Sequence, residues 1–186
     1  MMPTMPAFAE TPEIRYNFNT GTSQRKKRSR SGYKGKKKVT YSTVEKPGTI
    51  IVDTREKALY FVMRGRKAMR YGIGVGRQGF TWKGVAHIRR KQKWPSWHPP
   101  EEMRQRELKE NGRKLPKMMP GGPNNPLGAR ALYLFQGNKD TLYRIHGTNQ
   151  PSSIGTAQSS GCIRLLNKEA IDLYRRVRIG AKVIVT

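Results

Sequence analysis

Short apolar runs separated by turn residues make up the first part of the chain after Pro47. Three of them lie at residues 49–52, 58–62 and 69–75, with charged or glycine-containing turns between them. Apolar stretches of strand length that are broken by turn residues are typical of a β-meander. We therefore predict three adjacent strands in this part of the chain.

The second half of the chain continues the same strand pattern. Residues 131–135 are almost continuously apolar, and residues 141–145 follow after a turn that contains Gly137. A continuous apolar run suits a buried strand, so we predict that these two segments pair. Residues 183–185 are predicted to form the last strand.

Helical spacing of apolar residues appears near the end of the chain, after Asn167. Asparagine is a favoured N-cap residue and glycine a common helix stop, so we predict a helix that Asn167 caps and Gly180 ends. The charged segment at residues 101–111 is predicted to be a second, short helix.

Two segments have no clear period. Residues 80–100 are rich in aromatic residues and proline and hold all three tryptophans, and we predict a loop that packs on the core and contributes to a cleft wall. Residues 115–128 are rich in proline and glycine, which predicts a long loop with a role such as a lid.

Four closely spaced glycines, at positions 72, 74, 76 and 79, raise the question of a phosphate-binding loop. No Gly-Lys-Ser/Thr segment follows them, and no long helical pattern begins there, so the P-loop and dinucleotide-binding interpretations fail. An irregular strand near a bulge or turn explains these glycines better.

The predicted elements divide the chain into two parts. Residues 1–47 contain few large apolar side chains, and residues 25–38 form a basic run that we expect to be disordered when free. Residues 48–186 carry the strand and helix patterns and form the predicted folded domain. The basic run is either a solvated linker or a segment that attracts polyanions.

The whole chain, like the basic run, carries an excess of positive charge. The 186 residues include 38 Lys and Arg against 12 Asp and Glu, a net charge of +26. Such an excess predicts an anionic partner or surface, which could be nucleic acid, anionic lipid or an acidic polymer. A basic nucleic-acid-binding module is therefore one hypothesis for this protein.

Targeting signals are weak in this sequence. No apolar run reaches the roughly 18 residues that a membrane-spanning helix needs. Ala7-Phe8-Ala9 resembles the small-residue end of an export cleavage site, without the apolar segment that should precede it. We expect either that an export signal has been removed or that this resemblance is accidental.

Candidate chemistry concentrates in residues 143–165, which hold the single cysteine, Cys162, and one of three histidines, His146. A lone cysteine is a buried apolar residue, a surface thiol or a nucleophile. His146 would stand at a strand end, and the sixteen positions to Cys162 allow the chain to fold back and bring thiol and imidazole together. An imidazole base can activate a thiol for attack on an amide carbonyl.

Glycines and serines around the pair fit this chemistry. Gly161 would allow close approach to a substrate, amides near Cys162 could stabilise an oxyanion, and carbonyls near Gly147 could hold the imidazole tautomer. A buried cysteine beside a loop is an equally good account of these residues. The three histidines are far apart and there is one cysteine, so no metal site is predicted.

The segment His146-Gly147, followed by Ser159-Ser160-Gly161-Cys162-Ile163-Arg164, resembles the signature of the L,D-transpeptidase catalytic domain, the YkuD-like family. The family serine falls on Ser159. Some members carry a second histidine where this chain has Ser160, so a role for that histidine does not carry over. Similar segments also include 51–53, 74–76, 94–100 and 167–180, so the resemblance covers roughly residues 48–186.

The resemblance implies a mainly β fold, a sandwich-like arrangement of mixed sheets with one or two helices and a cleft beside the cysteine. It implies that Cys162 attacks peptidoglycan stem peptides with His146 as base and forms 3→3 cross-links, without a metal or organic cofactor. Water or an envelope protein are alternative acceptors.

The same resemblance implies roles for the neighbouring residues and a location. Ser159, Ser160 and Gly161 would shape the substrate and oxyanion region, and Arg164 would hold the site or a substrate carboxylate, or else form a buried ion pair. The resemblance further implies a periplasmic or cell-envelope enzyme that carbapenems acylate at Cys162.

Overall fold

Strands dominate the computed structural model, which describes residues 35–77, 82–159 and 161–186. The helices are α1 (Glu101–Asn111) and α2 (Asn167–Arg176). The strands are β1 (Lys37–Thr40), β2 (Ile50–Asp53), β3 (Ala58–Met63), β4 (Lys67–Gly72), β5 (Val75–Gly76), β6 (Gly84–Lys93), β7 (Arg130–Gln136), β8 (Lys139–His146), β9 (Ala157–Ser159), β10 (Ile163–Arg164) and β11 (Lys182–Val185).

Within the described residues, nine strands form one mixed sheet in the order β1-β4-β3-β2-β11-β6-β7-β8-β10. The pairs β2–β11 and β8–β10 are parallel, and the other neighbours are antiparallel. β5 and β9 pair in parallel as a separate two-stranded sheet. The prediction of a mainly β fold with mixed sheets and one or two helices is confirmed.

Strand β11 lies between β2 and β6. Val183 is opposite Ile50 of β2 on one side and Ala86 of β6 on the other. All three side chains are fully buried. This strand therefore connects the early strands of the chain to the strands that carry the candidate site.

One large apolar core supports the sheet. Helix α2 turns its buried residues Ala170 and Leu173 into this core and packs against β7 and β8. The apolar residues of α2 repeat at the spacing of an amphipathic helix with one apolar stripe. The largest fully buried apolar residues are Tyr71, Ile50, Leu59, Ile73, Ile88, Leu134, Ile145, Ile154, Leu165 and Leu173.

The prediction of a loop throughout residues 80–100 is wrong, because β6 (Gly84–Lys93) occupies much of that segment. Ala86 and Ile88 point inward and are fully buried, while Val85, His87 and Arg89 point outward. Only two inward positions are strongly apolar, and basic residues follow them. The alternation that marks a half-buried strand is therefore hard to see in the sequence.

The predicted strand at residues 69–75 is two elements, β4 and β5, separated at Ile73-Gly74. Gly74 exchanges backbone hydrogen bonds with Arg164, at 2.9 and 2.8 Å. A Cβ atom on Gly74 would lie 2.6 Å from the Ser153 carbonyl oxygen, so glycine is needed for this close approach. The irregular strand that the glycines predicted is found here, with a register shift between Val75 and Gly76.

Helix α2 differs from its prediction at both ends. Its N-cap is Leu166, and Asn167 is the first helical residue, with a side chain that does not cap the helix. The helix ends at Arg176, before Gly180, because Val177 adopts an extended conformation and is buried. Gly180, with φ of +86°, lies in the turn that leads to β11.

The sheet begins earlier than the predicted domain boundary at residue 48. Residues of β1, which belong to the segment predicted to be a tail, pair antiparallel with β4. Val39 packs against a small cluster of Ala58, Tyr60 and Ala68. The Lys36 backbone N–H donates to Glu169 Oε1 at 2.9 Å, and its ammonium pairs with Asp172 at 2.5 Å. The rest of the basic run and the Ala7-Phe8-Ala9 segment lie outside the described residues.

Helix α1 has the predicted bounds and ends at Gly112, which adopts the left-handed conformation of a helix C-cap. The predicted pairing of segments near 131–135 and 141–145 is present as β7 with β8. Neither of the two described helices combines the length and the apolar character that crossing a membrane requires.

Candidate functional site

His146 is the last residue of β8 and is almost completely buried, with 4% of its surface exposed. Its Nδ1 atom lies 2.5 Å from the carbonyl oxygen of Gly147. A carbonyl oxygen only accepts hydrogen bonds, so this contact requires the proton on Nδ1. In the neutral imidazole, Nε2 then carries the lone pair.

Gly147 sits in a turn that has no room for a side chain. Its N–H donates to the Arg130 carbonyl oxygen at 2.9 Å. A Cβ atom at this position would lie 2.1 Å from Asn167 Oδ1 and 3.0 Å from the Ala129 nitrogen. Glycine therefore allows the turn after His146 to pack against the start of α2.

Strand pairing brings Cys162 to the same surface as His146. Strand β10 lies parallel to β8, with Ile163 opposite Ile145 and Arg164 opposite His146. Side chains alternate between the two faces of a sheet, so Ile145 and Ile163 point into the core. Cys162, immediately before β10, and His146 therefore share the opposite face, two pair positions apart along the strands.

The thiol of Cys162 faces the backbone of β8. Cys162 is half-buried, and its Sγ atom lies 4.0 Å from the Leu142 carbonyl oxygen. Leu142 has a φ of +62°, a conformation that is uncommon outside glycine and occurs where chain geometry is constrained. The irregular backbone at Leu142 lies beside the sulfur atom.

Burial and nearby arginines determine the protonation states of this pair. Burial, and then the charge of Arg164, lower the pKa of His146 to about 4, although the Gly147 and Leu127 backbone contacts oppose this shift. Burial raises the pKa of the Cys162 thiol, although the Arg144 backbone and the guanidinium groups of Arg144 and Arg164 favour the thiolate. At neutral pH the site therefore holds a neutral imidazole and a protonated thiol.

The two arginines differ in their partners. Arg144 makes a two-pronged contact with Asp140, at 2.7 and 2.8 Å, and its guanidinium lies 4.3 Å from the centre of the Tyr133 ring. Arg164 has no carboxylate partner among the described residues, and its buried Nε atom makes no hydrogen bond within them. The guanidinium Nη1 atom of Arg164 makes a marginal contact, 3.5 Å long, with Gln150 Oε1.

Arg164 was predicted either to hold the site or a substrate carboxylate, or to form a buried ion pair. The second alternative does not occur within the part of the chain that the structure describes. The guanidinium of Arg164 instead supplies a positive charge to the face that carries Cys162 and His146, and its own pKa is lowered by burial. A carboxylate from outside the protein would offset that desolvation.

Ser159 and Gly161 brace the turn before the cysteine. The Ser159 hydroxyl donates to the Cys162 carbonyl oxygen at 2.6 Å and accepts from the Gly161 N–H at 3.2 Å. Gly161 has a φ of +112°, which favours glycine. The Gly161 amide is thus already bonded, and Ser159 acts on the shape of the turn. Ser160 lies outside the described residues.

Two aromatic residues, Trp82 and Tyr143, pack against the core close to Gly161. Trp82 stacks on Tyr143 with ring centroids 5.7 Å apart, and both line a narrow pocket together with Gly161. Neither Cys162 nor His146 lines this pocket, so the expectation that the aromatic segment contributes to a cleft wall stays a prediction. Trp97 instead pairs its backbone with Met119, at 2.8 Å in both directions, within the long connection between β6 and β7.

Sequence reasoning missed Arg144, Asp140 and the part that Asn167 plays. Arg144 precedes His146 by two residues, so strand alternation alone places it on the same face. Asn167 gave no such signal, because its side chain accepts from backbone groups that are distant in sequence, Ala129 N–H at 2.9 Å and Thr148 N–H at 3.2 Å. No group of three or more potential metal ligands occurs within the described ranges.

Comparison with known proteins adds independent information. Residues 47–185 match the family model described as YkuD, the L,D-transpeptidase catalytic domain. The probable L,D-transpeptidase ErfK/SrfK of Salmonella typhimurium (strain LT2) is 38% identical over 139 residues, which are 72% of this chain and 42% of that protein. The chain thus spans about two fifths of the length of this relative.

Solved structures with similar folds include proteins of Brucella melitensis and Mycobacterium tuberculosis. A Brucella melitensis protein called "probable carnitine operon oxidoreductase caia" is 49% identical, with a TM-score of 0.54 over 81% of this chain and 92% of that one. L,D-transpeptidase 3 from Mycobacterium tuberculosis, in complex with a faropenem-derived adduct, is 14% identical, with a TM-score of 0.55 over 74% of this chain and 59% of that one. The second likeness concerns the fold alone.

Proposed function

Because this chain belongs to the YkuD family of L,D-transpeptidase catalytic domains, we propose that it is a cysteine-dependent transpeptidase of peptidoglycan stem peptides. The observation that carries the proposal is the parallel pairing of β10 with β8, which puts Cys162 and His146 on one face. That arrangement supports a pairing of nucleophile and base, the combination that acyl transfer through a thioester requires.

The first half-reaction forms the acyl-enzyme. His146 Nε2 takes the proton of the Cys162 thiol as the sulfur attacks the carbonyl carbon of the L,D peptide bond after the third stem residue. A carbon–sulfur bond forms and the carbonyl oxygen becomes an oxyanion, which backbone amides at the cysteine turn other than the bonded Gly161 N–H would stabilise. The carbon–nitrogen bond then breaks, and the imidazolium gives its proton to the departing D-Ala amine.

The second half-reaction transfers the acyl group. An acceptor amine attacks the thioester and loses a proton to His146, the carbon–sulfur bond breaks, and Cys162 recovers its proton. The side-chain amine of a neighbouring stem gives a 3→3 cross-link. Water would give carboxypeptidase activity, and a protein amine would attach an envelope protein to the wall.

The protonation states of Cys162 and His146 in the free site favour activation of the thiol by the bound donor. At neutral pH the free site holds thiol and neutral imidazole, and the charge of Arg164 disfavours an imidazolium. A donor carboxylate that pairs with Arg164 would offset this charge and make His146 a stronger base. Arg164 would in this way couple donor binding to proton transfer.

We further propose a cell-envelope location for the protein, with residues 48–186 as the catalytic unit and the basic segment before it as a region that attracts anionic wall or membrane surfaces. Carbapenems would acylate Cys162, because a strained β-lactam carbonyl presents the same target as the donor peptide. No cofactor takes part in the proposed reaction.

Analysis of muropeptides after incubation with purified sacculi tests the proposal. Wild type is expected to produce 3→3 cross-linked species, and Cys162→Ala is expected to produce none while keeping its thermal unfolding curve. Ser152→Ala, an exposed change in the loop before the cysteine, serves as the matched control. Equal cross-linking by Cys162→Ala would refute the mechanism.

The same reaction mixtures distinguish the acceptors, because cross-linked, hydrolysed and protein-attached products differ in mass. Nucleic-acid binding, which the net charge of +26 motivates, is the alternative from another class. It predicts tight binding to defined oligonucleotides with a sequence preference. A steep salt dependence without such a preference would reflect general attraction to polyanions.

A further inference from the structure

The peptide unit between Gly147 and Thr148 is bonded at both of its polar ends. Its carbonyl oxygen, from Gly147, lies 2.5 Å from His146 Nδ1. Its N–H, from Thr148, donates to Asn167 Oδ1 at 3.2 Å. A trans peptide is planar, with its N–H and C=O pointing in opposite directions, so a partner that holds one end also orients the other.

Asn167 is well placed to hold that peptide. It is the first residue of α2, whose buried residues Ala170 and Leu173 anchor the helix in the core. Asn167 Oδ1 also accepts from the Ala129 N–H at 2.9 Å, at the end of the long connection between β6 and β7. The oxygen therefore joins three separate segments of the chain.

Two glycines define the position of this oxygen. Cβ atoms built on Gly147 and Gly128 would lie 2.1 and 2.2 Å from Asn167 Oδ1. The Gly128 Cβ would also lie 2.5 Å from the Thr148 nitrogen. The amide oxygen fills the space that these missing side chains leave, so it has little freedom to move.

We propose that Asn167 is a positioning residue for the catalytic base. Its Oδ1 orients the peptide that follows Gly147 so that the carbonyl holds the His146 proton on Nδ1, leaving Nε2 for the thiol proton. This inference rests on the proposed function for its catalytic meaning. The geometric part, control of the imidazole tautomer, is independent of the substrate. A backbone carbonyl here has the orienting role that a carboxylate has in other nucleophile–base–acid triads.

Nitrogen-15 NMR of the imidazole rings tests the tautomer directly, with His146 assigned by comparison with a His146→Gln sample. Wild type is expected to show the Nδ1–H form at pH 7. Asn167→Ala removes the acceptor, so the preference for that form is expected to be lost. Asn167→Asp keeps an oxygen at the same position and, at a helix N-terminus, a favourable charge, so it should retain the Nδ1–H form.

Kinetics provide the second readout. Asn167→Ala is expected to lower kcat about 10- to 100-fold, the usual effect of a misplaced catalytic group. KM is expected to change less than about threefold, because the amide does not touch the donor. Asn111→Ala, at the exposed end of α1, is the matched control and should leave both parameters and the tautomer unchanged.

The outcomes separate this inference from the proposed function. A wild type without transpeptidation refutes the proposed function, whereas the NMR measurement still decides the role of Asn167. An unchanged Nδ1–H tautomer in folded Asn167→Ala overturns the positioning role. If the alanine variant does not fold, a loss of the Nδ1–H form in folded Asn167→Asp overturns it, and its retention supports it.

Discussion

Replacing Gly147 by alanine changes a single hydrogen to a methyl group at the most crowded point of the site. The new Cβ would lie 2.1 Å from Asn167 Oδ1, and Cβ atoms do not approach other heavy atoms within 3.0 Å. The amide oxygen must therefore move by nearly 1 Å. Such a movement breaks or strains its hydrogen bonds to the Ala129 and Thr148 amides, which are 2.9 and 3.2 Å long.

The energetic cost follows from those two bonds. Each contributes about 1 kcal/mol net, and a buried N–H left without a partner costs about 1–3 kcal/mol. We therefore expect Gly147→Ala to lower the free energy of unfolding by about 2–4 kcal/mol. For a chain of this size, about 2–4 °C of Tm accompanies each kcal/mol, so Tm should fall by roughly 5–15 °C.

Urea and thermal unfolding, followed by circular dichroism, measure both quantities. Gly122→Ala is a matched control, because a Cβ atom on Gly122 would meet no heavy atom within 4 Å. The control is expected to stay within about 0.5 kcal/mol of wild type. Gly147→Ala as stable as Gly122→Ala would refute the claim that the turn after His146 packs tightly on Asn167.

Three further predictions concern charge and protonation. Alkylation of Cys162 by iodoacetamide, followed by intact mass, should rise with pH through a pKa above the ordinary 9.0, because burial raises the thiol pKa; a reactive plateau between pH 5 and 7 would instead reveal an imidazolium–thiolate pair. Arg164→Gln should raise KM for the donor at least about tenfold through the loss of a charged contact, whereas exposed Arg178→Gln should not; equal KM values would remove Arg164 from donor binding. Asp172→Asn should destabilise the fold at pH 7. Burial raises the pKa of Asp172, but bonds from Arg176, Lys36 and Tyr71 outweigh this effect and hold the pKa well below its usual value. The aspartate therefore stabilises the fold above about pH 4. The difference in stability between variant and wild type should shrink as pH falls from 5 to 2. A pH-independent difference would contradict the linkage.

Local patterns predicted the elements whose residues alternate or repeat clearly. The strands near residues 50–53, 58–63 and 130–146 follow from apolar runs and turn residues, and α1 has the predicted bounds. Strand β6 was missed because its inward positions beyond Ile88 are polar or basic. The predicted start of α2 differed from the observed one because asparagine is a favoured N-cap residue, whereas the Asn167 side chain bonds to other segments of the chain.

The candidate site was predictable where it depends on adjacent residues in sequence. His146 at a strand end and Cys162 before a short strand follow from the pattern and from the family resemblance. The partners of the arginines were not predictable, because Arg144 meets Asp140 only through the bend at Leu142. The contacts of Asn167 reach back 38 residues to Ala129, a separation that no local pattern reports.

Strand β11 follows every other described strand in the chain, yet it lies between β2 and β6 at the middle of the sheet. During synthesis, a ribosome would release both neighbours before the strand that joins them. Until β11 arrives, β2 and β6 present open edges, which are sites for pairing with other molecules. Contacts this distant in sequence also slow folding. The folded domain, including the helix that precedes β11, is therefore expected to form only after β11 has left the ribosome.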